Sequence, residues 1–187
     1  MLKIETLDDL KYFVLKCKKC SLHKTKNSYV FGEGPLNSKI MFIGEAPGKN
    51  EDIHGKPFIG MAGKIFDEML NSIGLTRNDV YISNILKCRP PKNRNPLNSE
   101  IKKCSIYLDK QMDIIKPQMI VLLGRIAISY IFKKFDFTFE KINKIHGKIY
   151  FKNNLKIIPI YHPAAVIYNN KLKETLKEDF KNINRNI

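Results

Sequence analysis

The sequence predicts an α/β fold in which a mostly parallel sheet lies between helices on both faces. Short apolar runs of strand length alternate with segments of helical periodicity, the pattern of βαβ units. One such run, residues 40–43, leads directly into Gly44-Glu45-Ala46-Pro47-Gly48, and another leads into His162-Pro163-Ala164-Ala165-Val166 far downstream. Loops at the carboxyl edge of a parallel sheet are where such proteins bind ligands, so the two segments predict one shared site.

Four elements are predicted in the first half of the chain. Thr6 is a suitable helix N-cap because Asp9 follows three residues later and apolar residues then recur at helical spacing. The strands are continuous apolar runs, which is typical of strands buried on both faces. The elements are helices over residues 7–16 and 65–73 and strands over residues 39–43 and 80–84.

The second half begins with a proline-rich stretch, Arg89 to Pro96, that excludes a helix or a central strand. The elements predicted after it are helices over residues 98–115 and 125–133, a strand over 118–123, and an extended pair over 145–151 and 155–161. In a parallel sheet the loops that follow Ile43, Asn84, Leu123 and Tyr161 share one edge. No repeat or linker interrupts the pattern, so one domain over residues 1–187 is expected.

The chain is strongly basic, with 33 Lys and Arg against 18 Asp and Glu and a net charge of +15. Such a balance fits a polyanionic partner, although a solvated basic surface is the plainer interpretation. The apolar runs are too short to cross a bilayer, and the N-terminus lacks the apolar region of a signal peptide. A cytosolic protein is therefore expected.

The four cysteines are Cys17 and Cys20, spaced as C-x2-C, and the more widely separated Cys88 and Cys104. Disulfides are not expected in a reducing cytosol, which leaves incidental buried thiols, a redox pair or a metal site. Four soft thiolates suit either zinc or an iron–sulfur cluster. The wide second pair favours a four-iron cluster over a zinc ribbon, and zinc stays open.

In their order along nearly the whole chain, these motifs resemble those of the family 4 uracil-DNA glycosylases, the iron–sulfur branch of the uracil glycosylase superfamily. The resemblance is carried by Cys17-x2-Cys20, the segments 44–48 with Glu51-Asp52, 55–60 (GKPFIG) and 84–91 (NILKCRPP), Cys104, and the segment 162–166. It implies a three-layer α/β/α fold with a mostly parallel four-stranded sheet.

The same resemblance implies the activity, the cofactor and the partners. The expected activity is excision of uracil from single- and double-stranded DNA by a monomer in the cytoplasm of a prokaryotic cell, associated with the nucleoid. The expected cofactor is a structural [4Fe-4S] cluster held by Cys17, Cys20, Cys88 and Cys104.

Base recognition is assigned by the resemblance to a few residues of the two loops and the segments between them. Phe58 is expected to stack on an extruded uracil, Asn84 to bond its N3–H and O4, and His162 to donate to O2 as negative charge develops there. Backbone groups of Gly44, Glu45 and Ala46 are the remaining contacts. Without the resemblance, the plainer interpretations are a core residue for Phe58, a strand-end cap for Asn84 and a structural hydrogen-bonding residue for His162.

Two assignments concern the water and the DNA. Other branches carry an acidic residue in place of Ala46, and alanine cannot activate water, so Glu45 or Glu51 is expected to act on the water or the sugar, with Glu45 preferred. The DNA contacts are expected from Pro163, Ala164 and Ala165 in the minor groove and from Arg89 and Arg94.

This sequence departs from the family at Lys26 and Tyr168, where arginine is common.

Two other function classes compete with a glycosylase. A non-enzymatic, metal-stabilised nucleic-acid binder uses the charge and the cysteines but does not need Phe58, Asn84 and His162 in one pocket. A hydrolase with segment 44–48 as an anion cradle lacks the lysine and the serine or threonine of a Walker loop. Only the glycosylase uses every motif.

Overall fold

A five-stranded sheet forms the centre of the computed structural model, which describes residues 4–187. The strands are β1 (Ile40–Gly44), β2 (Val80–Asn84), β3 (Met119–Leu123), β4 (Tyr150–Lys152) and β5 (Leu155–Ile160), in the order β2-β1-β3-β5-β4. All neighbours pair in parallel except β4, which runs antiparallel to β5 at one edge. The predicted α/β class and the mostly parallel sheet are confirmed.

Helices cover both faces of this sheet. They are α1 (Leu7–Leu15), α2 (Lys49–His54), α3 (Met61–Ser72), α4 (Asn98–Ile115), α5 (Arg125–Lys134), α6 (Ile142–Ile145), α7 (Ala164–Tyr168) and α8 (Leu172–Asn184). Thr6 caps α1 through a capping box with Asp9, as its position in the sequence predicts. No helix in residues 4–187 combines the length and the apolar character that a membrane span requires.

The core divides into two clusters because side chains alternate across a strand. Met41 and Ile43 of β1 face one cluster, whereas Ile40 and Phe42 face the other. The first cluster includes apolar residues of α1, α4 and α5, and the second those of α3, α7 and α8. Every residue of β1, β2 and β3 is buried, which explains their continuous apolar runs.

Some predicted elements need correction. The sheet has five strands and not four, because a turn at Asn153, whose φ is 52°, adds the short antiparallel β4. The first arm of that pair starts only at Tyr150, since residues 142–145 form a helical turn, and the last strand ends at Ile160. The proline-rich stretch contains one 3-10 turn, Pro91–Asn93, where no helix was expected.

Four helices were not predicted. They are α2, α7, the single turn α6 and the long C-terminal α8. The first two are short and lie within segments that the sequence presents as glycine- or proline-shaped loops.

Candidate active site

The predicted loops meet at the carboxyl edge of the sheet, as expected. Gly44 and Asn84 are directly paired at the ends of β1 and β2. A Cβ atom added to Gly44 would lie 2.3 Å from Asn84 Oδ1 and 2.9 Å from the Phe58 ring. A glycine is therefore required here, because it lets the amide and the aromatic ring approach the main chain closely.

The amide of Asn84 lacks the partner that a buried polar group normally has. Asn84 is 2% exposed, and its Oδ1 is the one buried side-chain N or O atom in residues 4–187 that makes no hydrogen bond. A buried acceptor without a donor costs about 1–3 kcal/mol, so it marks a place where a ligand donor fits. The strand-end cap interpretation fails, because a cap would use this oxygen.

A buried network holds the backbone that carries Asn84. The Lys87 ammonium is 1% exposed and donates to the Asn84 carbonyl oxygen at 2.8 Å. Its other two hydrogen bonds, both 2.6 Å long, go to Ser83 Oγ and Gln111 Oε1. Three acceptors match the three donors of the protonated amine and fix the end of β2 against helix α4, while burial lowers the pKa of Lys87 to about 7.

Phe58 is buried and not freely presented on a loop. Its side chain is 5% exposed, and its ring lies 5.3 Å from the ring of Phe66 and 5.5 Å from that of His162, measured between centroids. The Phe58 and His162 rings are 27° from parallel. Phe58 is thus a core residue, as the plainer interpretation expects, and another part of its ring lies over Gly44.

The backbone of Phe58 is in the left-handed region, with φ at 52°, which is uncommon for a bulky residue. Helix α3 packs so closely on this residue that a Cβ atom on Gly63 would lie 1.8 Å from the Phe58 carbonyl oxygen. Glu51 Oε1 accepts hydrogen bonds from the next two amides, those of Ile59 and Gly60, both at 2.9 Å. Glu51 therefore holds the Phe58 loop.

The Gly63→Ala substitution is expected to lower the free energy of unfolding by about 1–3 kcal/mol, because the added methyl group overlaps a main-chain oxygen that cannot rotate away. The loss occurs although alanine favours a helix over glycine by about 1 kcal/mol. Urea unfolding of the two proteins measures it. Lys64→Ala, at the next and exposed position of α3, is the control, and an equal effect of both substitutions would contradict the steric argument.

Within residues 4–187, Glu45, unlike Glu51, accepts no hydrogen bond from a loop amide through its carboxylate. It is half-buried, and the described residues give its carboxylate no hydrogen-bond partner. Burial raises its pKa, and the nearby Arg125 guanidinium opposes that rise in part. Ala46 follows it in the loop and is also half-buried.

His162 is held as a neutral imidazole of one tautomer. The backbone N–H of Ala164 donates to Nδ1 at 3.1 Å, so the ring proton lies on Nε2. Burial lowers the pKa of His162 from 6.5 to about 4, and the carboxylate of Glu51 opposes the change. Gly124 allows this position, since a Cβ atom there would lie 2.9 Å from the Cβ of His162.

The four cysteines line one cavity on the other side of β2, together with residues of α1 and α4. All four are free thiols. Burial raises the pKa of Cys104 to about 11 and raises that of Cys88 further, so thiolates there need a positive centre. Within residues 4–187, no three His, Cys, Asp or Glu side chains are close enough to share a single metal ion.

The expected DNA contacts differ in their surroundings. Arg94 makes a two-pronged ion pair with the buried Glu100, at 2.9 and 2.6 Å, and Arg89 Nε donates to Asn93 Oδ1 at 2.7 Å. Pro163 is buried, whereas Ala164 and Ala165 are half-buried and start helix α7.

The two positions at which the sequence departs from the family also have different surroundings. Tyr168, at the end of α7, is 89% exposed. The ammonium of Lys26 lies over the Tyr29 ring, 3.9 Å from its centroid.

Several supporting residues were missed by the sequence patterns. Lys87 lies inside the motif that contains Cys88, yet no periodicity marks its side chain as buried. Gln111 and Arg77 lie outside every motif, and their partners are distant along the chain. The glycine at Gly63 was the one usable signal, because a glycine inside a helical stripe indicates close approach of another backbone.

Comparison with known proteins identifies the family. The model of the uracil DNA glycosylase superfamily matches residues 31–186. A type-4 uracil-DNA glycosylase of Archaeoglobus fulgidus is 50% identical over 184 residues, which cover 96% of this chain and 92% of that protein. Proteins of the same name from Saccharolobus solfataricus and Thermotoga maritima are 48% and 41% identical, over 96% and 90% of this chain and 86% and 88% of their own lengths. The chain therefore belongs to the uracil DNA glycosylase superfamily and, within it, to the type-4 uracil-DNA glycosylases.

Proposed function

We propose that this protein is a DNA repair enzyme that extrudes uracil from DNA and hydrolyses its N-glycosidic bond, leaving an abasic site. The observation that carries the proposal is the buried, unpaired Oδ1 of Asn84 beside Phe58 at the edge of the sheet. Uracil offers the missing donor at N3–H. The similar proteins are type-4 uracil-DNA glycosylases by name, which agrees with this activity.

Recognition of the base follows from the two ends of the Asn84 amide. Oδ1 accepts from uracil N3–H while Nδ2 donates to O4, and the Phe58 ring contacts the base face. Main-chain groups of Gly44, Glu45 and Ala46 complete the contacts. Cytosine carries an acceptor at N3 and a donor at N4, so it is rejected when the Asn84 amide is held with Oδ1 toward N3, since a flipped amide would accept it.

Cleavage of the bond places a negative charge on the departing base. The electron pair of the C1′–N1 bond leaves with uracil, and His162 Nε2–H donates to O2 as the charge develops there. A neutral imidazole fits this role because it stabilises the anion without carrying an extra proton into the dry site. Water then adds to C1′ of the cationic sugar and gives up a proton, which neutralises the uracil anion. Glu45 positions that water and takes up its proton on the way, or stabilises the sugar.

Glu45 is the better of the two candidate carboxylates. Glu51 already accepts two loop amides through Oε1, whereas Glu45 has no such partner. Burial raises the pKa of Glu45, which brings it closer to that of a general base.

We further propose that Cys17, Cys20, Cys88 and Cys104 hold a [4Fe-4S] cluster. Their common cavity and the soft character of the four thiols support it. The wide spacing of Cys88 and Cys104 is unlike the two tight pairs of a zinc ribbon and favours a cluster. When bound, the cluster supplies cross-links that tie the segment after α1 to α4 and to the loop after β2, and it takes no part in base release.

Replacement of Cys88 or Cys104 by serine is expected to remove the visible absorbance and the bound iron and to lower the melting temperature, because the metal-coupled part of the folding free energy is lost. Absorbance spectra, iron analysis and calorimetry measure these changes. Lys102→Ser, at an exposed position of α4 near Cys104, is the control. Retention of a full iron content by both cysteine variants would exclude these ligands.

The remaining proposals concern DNA and cellular context. We propose that Pro163, Ala164 and Ala165 enter the minor groove where the base left. Arg89 is proposed to contact phosphate. Arg94 is proposed to act indirectly, because its ion pair with Glu100 fixes the neighbouring loop. Residues 1–187 are proposed to form one domain with the cluster loops included. The proposed substrate is uracil in single- or double-stranded DNA, acted on by a monomer in a prokaryotic cytoplasm, close to the nucleoid.

The test is base release from a labelled oligonucleotide with one uracil, read as strand cleavage after alkali treatment, with thymine and cytosine oligonucleotides as controls. Cleavage that depends on uracil supports the proposal. Absence of cleavage by protein that retains its iron would favour the non-enzymatic nucleic-acid binder, which does not need Asn84, Phe58 and His162 at one edge.

A further inference from the structure

Arg77 contacts the loop that carries Phe58 (residues 55–60, called the Phe58 loop) and uses all five of its N–H donors in hydrogen bonds. Three of them go to carboxylates that anchor the guanidinium. Nε and Nη2 donate to the two oxygens of Asp67, at 2.7 and 3.3 Å, and Nη1 donates to Glu33 Oε1 at 2.9 Å. Arg77 is only 25% exposed, so these bonds are partly shielded from water.

The other two donors go to the main chain of the loop. Nη1 donates to the Pro57 carbonyl oxygen at 3.0 Å, and Nη2 donates to the Phe58 carbonyl oxygen. The guanidinium thus binds two consecutive carbonyl groups of the loop that carries Phe58. Glu51 binds the two following amides, so the loop is held on both sides of Phe58.

Phe58 needs this support because its backbone is strained. A left-handed φ of 52° in a residue with a large side chain persists only where its surroundings determine it fully. The conformation directs the ring over Gly44 and beside Asn84. A relaxed backbone would turn the ring away from the place where a base is recognised.

The anchors of Arg77 are rigid. The backbone of Glu33 exchanges two hydrogen bonds with Ile82 of β2, at 3.0 and 2.7 Å, and Asp67 lies on helix α3. The guanidinium therefore ties the loop to the strand that carries Asn84 and to the helix that packs on Phe58. A lysine cannot replace it, because an ammonium has three donors and no planar fork.

We propose that Arg77 is a positioning residue for uracil recognition, which fixes the Phe58 ring by holding the carbonyl groups of residues 57 and 58. The proposal rests on the proposed glycosylase function. It assigns to Arg77 an effect on the bound base and none on DNA contacts, since all five of its N–H donors are used within the protein.

The experiment compares Arg77→Lys with the wild-type protein by two measurements. The first is inhibition of base release by free uracil, which reports on the base pocket. The second is binding of an oligonucleotide with a tetrahydrofuran abasic analogue, which has no base. Arg77→Lys is expected to weaken inhibition by uracil about 10-fold and to change the affinity for abasic DNA less than 2-fold.

A double-mutant cycle separates positioning from a general structural role. In a Phe58→Ala background, Arg77→Lys is expected to add less than a 2-fold effect on uracil inhibition, because the ring that it positions is absent. Glu68→Gln, which removes the neighbouring ion pair between α3 and Lys173, is the matched control and should leave uracil inhibition unchanged. If Arg77→Lys fails to fold, Glu33→Gln takes its place. It removes one carboxylate that anchors the guanidinium, so a smaller effect on uracil inhibition is expected.

The outcomes are distinguishable. The inference is overturned if uracil inhibition is unchanged in Arg77→Lys, or in Glu33→Gln where that variant replaces it. It is also overturned if the effects of Arg77→Lys and Phe58→Ala on uracil inhibition are additive. A wild-type protein that releases no uracil overturns the proposed function instead, and that result appears before any variant is compared.

Discussion

Asn84→Ala is expected to lower kcat/KM for uracil release by about 10²–10³-fold, because both hydrogen bonds that read the base edge are removed. The loss should appear with single- and double-stranded substrates alike, since the proposed contacts of the amide are to the base alone. Steady-state rates on the uracil oligonucleotide measure it. Asn78→Ala, at an exposed position just before β2, is the control and should leave the rate unchanged.

Asn84→Ala is also expected to leave the free energy of unfolding nearly unchanged. In the wild-type protein the Oδ1 of Asn84 is buried and unpaired, so its removal relieves a cost instead of breaking a bond. We expect the free energy of unfolding of Asn84→Ala to stay within about 1 kcal/mol of the wild-type value or to exceed it. A variant that loses both activity and stability would indicate that Asn84 supports the fold and is not primarily a base contact.

The sequence was sufficient to predict the edge at which the site forms. The continuous apolar runs of β1, β2 and β3 indicate parallel strands buried on both faces, and parallel strands bring the loops after them together. That reasoning brings Gly44, Asn84 and His162 to one edge without any structural information. The antiparallel pair of β4 and β5 was also predicted, but the predicted start of β4 lies five residues too early, because no pattern in the sequence indicates the helical turn at residues 142–145.

The supporting shell could not be predicted, since it depends on contacts between distant parts of the chain. Arg77 bonds Glu33, 44 residues earlier, and Gln111 bonds the Phe31 carbonyl, 80 residues earlier. Charged and amide side chains at such positions look like ordinary surface residues in the sequence. The role of Glu51 shows the same limit, because its position in a motif suggested chemistry whereas its hydrogen bonds fix a loop.

His162→Ala is expected to lower kcat by about 10²–10³-fold, the usual cost of removing one donor to a developing oxyanion. His162→Gln should retain part of the activity, because an amide N–H can donate without a charge. Because burial holds the pKa of His162 near 4, the imidazole is neutral at physiological pH. The wild-type kcat is therefore expected to be independent of His162 ionisation between about pH 6 and 8.

The lowered pKa also sets the sign of the effect on stability. As pH falls, the unfolded chain takes up a proton near pH 6.5 while the folded His162 resists protonation until about pH 4. The stability that neutral His162 contributes is fully present above pH 6.5 and is lost progressively down to pH 4. Protonation at Nδ1 of the folded protein also breaks the hydrogen bond from Ala164, so the ring loses its orientation near pH 4. A pH–rate profile with a midpoint near 6.5 that disappears in His162→Gln would instead show that an imidazolium stabilises the departing base.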